Sequence, residues 1–242
     1  MSTRPDTAAK TPADTSARSA KASPRSRPRH RVQRTKARAR YDRESIHAIL
    51  DAGMIAHVGF STNGQPFVIP MLYARDGDAL LLHGSIASRL VNGLGDGIPT
   101  CISVTLVDGL VLARSHFHHS VNYRSVVAFG IAKLVSDPDE KVAALARFVD
   151  AIIAGRAAES RPPDRNELAA TNVLRFEIED ASAKVREGGA KDDAADVGLP
   201  HWAGVVPQRA MYGAPIADES VAGGTALPRS VQHLIATGGA RA

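Results

Sequence analysis

One cysteine and one tryptophan stand among 242 residues, and aromatic side chains make up only 5% of the chain. Cys101 therefore has no partner for an intrachain disulfide and no second thiol for a paired-cysteine metal motif. It lies in the apolar run 99–106, as a buried strand residue does. No apolar run approaches the roughly 18 residues that a membrane helix requires. The N-terminus also lacks the apolar stretch of a secretory signal. These absences predict a reducing, cytoplasmic setting without a membrane. A nucleophile elbow of the Gly-x-Ser-x-Gly kind and a Walker loop are missing too, which excludes the commonest serine-hydrolase and nucleotide-triphosphatase signatures. Gly93-Leu94-Gly95-Asp96-Gly97 follows a predicted helix rather than a strand, so it reads as a loop and not as a dinucleotide fingerprint.

Residues 1–40 lack aromatics, leucine and isoleucine, and carry twelve Lys and Arg against two Asp. Such a stretch cannot bury enough surface to offset chain entropy and is predicted to be disordered. A solvated tail, a nucleic-acid arm, an anionic membrane contact and an organellar transit peptide all fit its composition. Because the whole chain is +5 and this segment +10, residues 41–242 are net acidic at −5. Nucleic acid is thus a candidate partner for the tail alone. Three units follow: the tail 1–40, a folded domain 41–207, and an irregular extension 208–242.

What is present is a succession of short apolar runs punctuated by tight-turn signals. Asn63-Gly64 joins the strand Met54–Ser61 to the next, Asp76-Gly77 is read as pairing Pro66–Arg75 with Ala79–His83, and Asp108-Gly109 as pairing Pro99–Leu106 with Leu110–Arg114. Val126–Val135 and Asn172–Ile178 add further strands. Asp42 is read as capping a helix with Ile46, Ile49 and Leu50 on one face and Gly53 at its end. Asp137-Pro138-Asp139-Glu140 opens another, with Val142, Leu145, Val149, Ile152 and Ile153 at helical spacing and Gly155 stopping it. Glu167–Ala170 adds a short third. The fold class is mainly β, an antiparallel barrel of about seven strands with covering helices.

The chemistry concentrates in residues 66–94. Pro70 removes a ladder donor, so its strand belongs at an edge or against a ligand. Gly84 allows close backbone approach, and Ser85 is read as capping a helix whose apolar face is Ile86, Leu90 and Leu94, with Ser88 and Arg89 in the first turn. Backbone N–H groups, two hydroxyls and a guanidinium converging there describe an anion site. Further on, His116 and His118 share one side if 115–125 is extended. With no second cysteine and no nearby acid, hydrogen bonding to an anion suits these histidines better than metal ligation, and no metal site is predicted.

These residues resemble the FMN-binding split barrels related to pyridoxamine 5'-phosphate oxidase, most closely the 5-nitroimidazole-reductase-like branch, from about Tyr41 to about Pro207. His83-Gly84-Ser85-Ile86-Ala87-Ser88-Arg89 is similar to the family's phosphate segment, though Leu90 replaces the oxidase's second basic residue and Gly84-Ser85 its Thr-Asn. The resemblance implies FMN held by Gly84, Ser85, Ser88 and Arg89, with Val68, Ile69, Pro70 and Met71 along the ring. It also implies flavin contacts from Arg124 and Ser125 and a charge at Lys184, taken to follow the last strand. His83 is implied beside the isoalloxazine as the proton donor of an FMN-dependent oxidoreductase acting on a small organic molecule. A homodimer with flavin at its interface follows from the same resemblance. The alternative is a binding protein without turnover, in which His83, His116, His118 and His119 serve haem iron; FAD or a deazaflavin are the other cofactors considered.

Overall fold

The structure, a computed structural model, describes residues 29–238. The predicted disorder of 1–28 lies outside the described residues. Residues 29–40, predicted to share it, do pack: β1 (Ala39–Arg40) pairs with the last long strand. Arg29 bonds Glu179 and Asp180 at 2.6 and 2.9 Å.

Helix α1 (Arg43–Ala52) begins where Asp42 accepts from the Ser45 N–H at 2.8 Å, and it buries Ile46, Ile49 and Leu50. Strands β2 (Ile55–Thr62) and β3 (Gln65–Leu72) are joined through Asn63 and Gly64, whose φ values of 51° and 79° are those of a tight primed turn. The predicted strand Pro66–Arg75 is in fact two. At Tyr73 the chain leaves β3, because the Tyr73 ring is buried and its hydroxyl donates to the Leu50 carbonyl. Only β4 (Ala74–Asp76) pairs with β5 (Ala79–Ser85). Their turn is Gly77-Asp78, and only Gly77 takes positive φ.

After helix α2 (Arg89–Gly95) come three long strands: β6 (Pro99–Leu112), β7 (Ser120–Leu134) and β8 (Thr171–Arg186). The predicted hairpin at Asp108-Gly109 does not exist. β6 runs straight through it, and the register with β7 skips Asp108 as a bulge. Gly109 is needed for a different reason: a Cβ there would lie 2.9 Å from the Val206 carbonyl of β9 (Gly204–Pro207). Likewise Ser182 and Lys184 lie within β8 rather than after the last strand.

Helix α3 (Pro138–Ile152) starts with the predicted cap, Asp137 accepting from Glu140 N–H at 2.8 Å, and buries Ala144 and Phe148. Helix α4 (Arg165–Ala170) is the predicted short helix, and α5 (Arg229–Ala236) is an ordered element in the extension predicted to be irregular.

The nine strands form one antiparallel sheet, ordered β3-β2-β6-β7-β8-β5-β4, with β1 on β8 and β9 on β6. It curls around Val58, Ile102, Val104, Val126, Ala128, Leu80, Leu82, Leu174 and Phe176. This is the split barrel, with β3 at one margin of the sheet as Pro70 required. A second apolar cluster, Ala74, Leu81, Val135, Val173, Ala144 and Phe148, fixes α3 on the outside of β5.

Candidate functional site

Residues paired across antiparallel strands point to the same face. Two register rows therefore define the outer face of the barrel: Val68–Gly59–Cys101–Phe129–Asp180 and Pro70–His57–Ser103–Val127–Ser182. A third row, Thr105–Ser125–Lys184, continues it. Val68 is 65% exposed there, and Ile55 and Leu72 are exposed beside it. Gly59, lacking a side chain between Val68 and Cys101, leaves a dent in the face. At the β7–β8 end the face is covered: the Arg29 guanidinium stands 5.2 Å from the Phe129 ring centroid. The open part is an apolar shelf on β3, β2 and β6, bearing one imidazole, His57.

The predicted site residues sort onto different surfaces. Val68, Pro70, Ser125 and Lys184 share the outer face. Ile69 and Met71 alternate inward; their register partners Val58 and Ala56 are core residues. His83 lies under α3, its ring edge-on to Phe148 at 4.5 Å, and burial pushes its pKa below the ordinary 6.5. At neutral pH that imidazole is uncharged. Arg124 faces the opposite way from Ser125, and its guanidinium clasps Asp108 with three contacts of 2.8–3.2 Å. The carboxylate holds the Arg124 pKa above its usual value. The pair lines an open depression of about 930 Å³ with Leu106, Gln208, Arg209 and Met211. Sequence reasoning missed Asp108, whose Asp-Gly signature suggested a turn; the skipped register is what swings the carboxylate toward Arg124.

Gly84, Ser85, Ser88 and Arg89 do come together, with a corrected geometry. The helix cap is Ser88, whose Oγ accepts from the Val91 N–H at 3.3 Å, and not Ser85. Ser85 instead ends β5, and its Oγ accepts from Ala87 N–H at 3.2 Å to shape the turn before the helix. Ile86 N–H bonds the Ala170 carbonyl at 3.1 Å, which holds the turn on the β8 side and delays the helix by three residues. Gly84 serves packing: a Cβ would stand 2.7 Å from Val91 Cγ2. Asn92 braces the turn through its Nδ2 to the Ile86 carbonyl at 2.9 Å and receives Asn172 Nδ2 on its Oδ1 at 3.0 Å. Arg89 is exposed and has no carboxylate partner among the described residues, in contrast to Arg75, Arg114, Arg124 and Arg175. A turn with a free guanidinium and two hydroxyls has the chemistry to take an anion.

The histidine-bearing segment is not extended. His116–His118 forms a 3-10 turn, so the spacing expected to place His116 and His118 side by side does not apply. Among the described residues there is no group of three or more His, Cys, Asp or Glu able to hold a metal ion, and no helix long and apolar enough to cross a membrane. The Cys101 thiol is half-buried and its pKa raised by that burial.

A family model for pyridoxamine 5'-phosphate oxidase matches residues 42–185. Among solved structures, the flavocytochrome Anf3 from Azotobacter vinelandii is 41% identical, covering 85% of this chain and 95% of its own, with a TM-score of 0.79. The FAD- and haem-binding protein from Mycobacterium smegmatis is 39% identical over 81% of this chain and 96% of its own, with a TM-score of 0.78. A 5-nitroimidazole antibiotic resistance protein from Bacteroides thetaiotaomicron shares the fold at 22% identity and a TM-score of 0.52, covering 61% of this chain and 86% of its own. A comparison with curated protein sequences yields no match.

Proposed function

Since the chain belongs to the pyridoxamine 5'-phosphate oxidase family, we propose that it is a flavin-binding redox protein acting on a small organic molecule. The observation that carries this reading is the Ser85–Arg89 turn, which offers hydroxyls and an uncompensated guanidinium to a phosphate. Ser85, Ser88 and Arg89 hold the flavin phosphate, and Val68 and Pro70 of the margin strand, with Ser125 and Lys184 on the same face, lie against the ring. Bound there, the flavin supplies the electron transfer that no side chain can. The protein's own part is to orient the ring, exclude water and move protons.

FMN and FAD share the phosphate that this turn would take, so the turn serves either. The relative from Mycobacterium smegmatis, which binds FAD, favours the dinucleotide. Resemblance gives His83 the role of proton donor. Its burial against Phe148 favours instead His57, exposed on the outer face opposite Pro70. Replacing His57 with Ala should slow turnover with flavin still bound, and the same change at His83 should slow it less. The reverse ranking returns the role to His83. A second copy is proposed to cover the outer face, which leaves Ile55, Val68 and Leu72 to solvent in one chain.

A second reading adds haem. Both relatives near 40% identity are haem proteins, one of them a flavocytochrome. Haem would then supply a second redox centre in the same protein as the flavin. The spectrum of the purified protein tests both parts: flavin bands with a Soret band on haem addition support the pair, and flavin bands alone withdraw the haem.

A further inference from the structure

The far end of the sheet, away from the Ser85–Arg89 turn, carries an exposed apolar plate with a histidine at its border. Leu110 pairs with Val121 on one side and Val206 on the other, so three side chains from β6, β7 and β9 share one face. All three are exposed. Phe117 is 89% exposed and Trp202, the sole tryptophan, 65% exposed. The Trp202 ring lies against Gly204, where a Cβ would come within 2.8 Å of it, and Gly204 pairs with Leu112 at the same end of the sheet. An exposed apolar face of this kind, bordered by the Trp202 ring, marks a place where an apolar partner is received.

His119 immediately precedes β7 at this border. Its Nδ1 is 2.9 Å from the Ser115 carbonyl oxygen. A carbonyl only accepts, so Nδ1 carries the hydrogen, and in the neutral ring Nε2 is left with its lone pair. That is how proteins prepare an imidazole for metal: an outer hydrogen bond to a carbonyl fixes the tautomer, orients the ring and makes the other nitrogen more basic. Among the described residues Nε2 has no hydrogen-bond partner. Its neighbours differ. His118 directs Nε2 to Asp193 at 3.3 Å, and His116, with its ring centroid 6.4 Å from that of His119, has no such carbonyl anchor.

We infer that His119 would ligate haem iron through Nε2, with the macrocycle received on the plate formed by Leu110, Val121 and Val206 beside Trp202. A macrocycle suits this place better than a bare metal ion, because one prepared imidazole is accompanied by apolar surface and not by further ligands. The inference rests on the haem reading given above.

Haem titration followed at the Soret band separates the outcomes. The wild-type chain should give a histidine-ligated spectrum. His119→Ala should lose that spectrum and bind at least about tenfold more weakly, added imidazole should restore it, and His118→Ala should match the wild type. His119→Met, which keeps a ligating atom of a softer kind, should shift the band rather than abolish it. Equal flavin content in all variants shows that they are folded. A Soret band and affinity in His119→Ala equal to the wild type's overturn the assignment while leaving the haem reading intact. A wild-type chain that takes up flavin and never haem overturns both.

Discussion

Two arginines that the sequence assigns to the flavin site differ in what neutralises them, and the difference sets what each can do. Arg124 shares both its Nε and Nη2 with Asp108, so its charge is already met inside the protein. Arg89 has no carboxylate among the described residues. A charge-assisted hydrogen bond contributes about 1.5–3 kcal/mol, so Arg89→Ala should weaken flavin binding roughly 10–100-fold. Arg124→Ala should change it little. Fluorescence titration with flavin checks both, and an unchanged dissociation constant for Arg89→Ala removes the phosphate assignment. His83 makes a prediction of a different kind. Its folded-state pKa is depressed from 6.5 by burial, so below that pH the unfolded chain binds more protons than the native one. Native stability should be undiminished by His83 above about pH 6.5 and fall as pH drops through and below it. Thermal melts across this range should show a shallower acid loss for His83→Leu than for the wild type.

Elements whose signals are local were legible from the sequence, and elements settled by distant contacts were not. The caps Asp42 and Asp137 were readable because a capping carboxylate and the following apolar spacing lie close together in sequence, joined at Asp137 by a proline at the first helical position. Asp137→Ala should cost α3 about 1 kcal/mol, a fall of roughly 2–4 °C in melting temperature for a chain of this size. The break at Tyr73 was hidden because it depends on a hydroxyl reaching Leu50, and the bulge at Asp108 because Asp-Gly is also a turn signature. Ser85 and Ser88 could each have capped α2. The choice falls to Ser88 through the hydrogen bond from Ile86 to Ala170, a residue far along the chain. Gly130 belongs to the same class of hidden constraint. It sits at the β7–β8 irregularity, where a Cβ would be 1.9 Å from the Glu177 carbonyl oxygen. Gly130→Ala therefore has to push two long strands apart, and the expected result is loss of soluble protein, with anything recovered melting well below the wild type.

At the scale of the molecule, one curled sheet presents two faces with separate tasks. The inner face is a closed apolar core. The outer face is divided among Arg29 over Phe129, helix α3 over His83, and the open shelf of β3, β2 and β6. The turn proposed to take the phosphate could be read in the sequence as a cluster of residue types, but the shelf could not, because it gathers residues from three strands into register. An open apolar shelf of this kind is what a two-fold contact covers with its own copy. Val68→Glu places a charge at its most exposed apolar position and should shift the protein toward monomer in light-scattering measurements, with flavin lost in parallel. A dimer that persists with full flavin content assigns the shelf another purpose.

Flavin capture by this chain is tested most directly by what the protein carries when purified from cells with no cofactor added. After denaturation, chromatography and mass analysis of the released fraction should find a flavin, with FAD the expected form, in stoichiometric amount. A chain that releases no flavin, takes up none on titration, and behaves identically when Arg89 is replaced by Ala contradicts it.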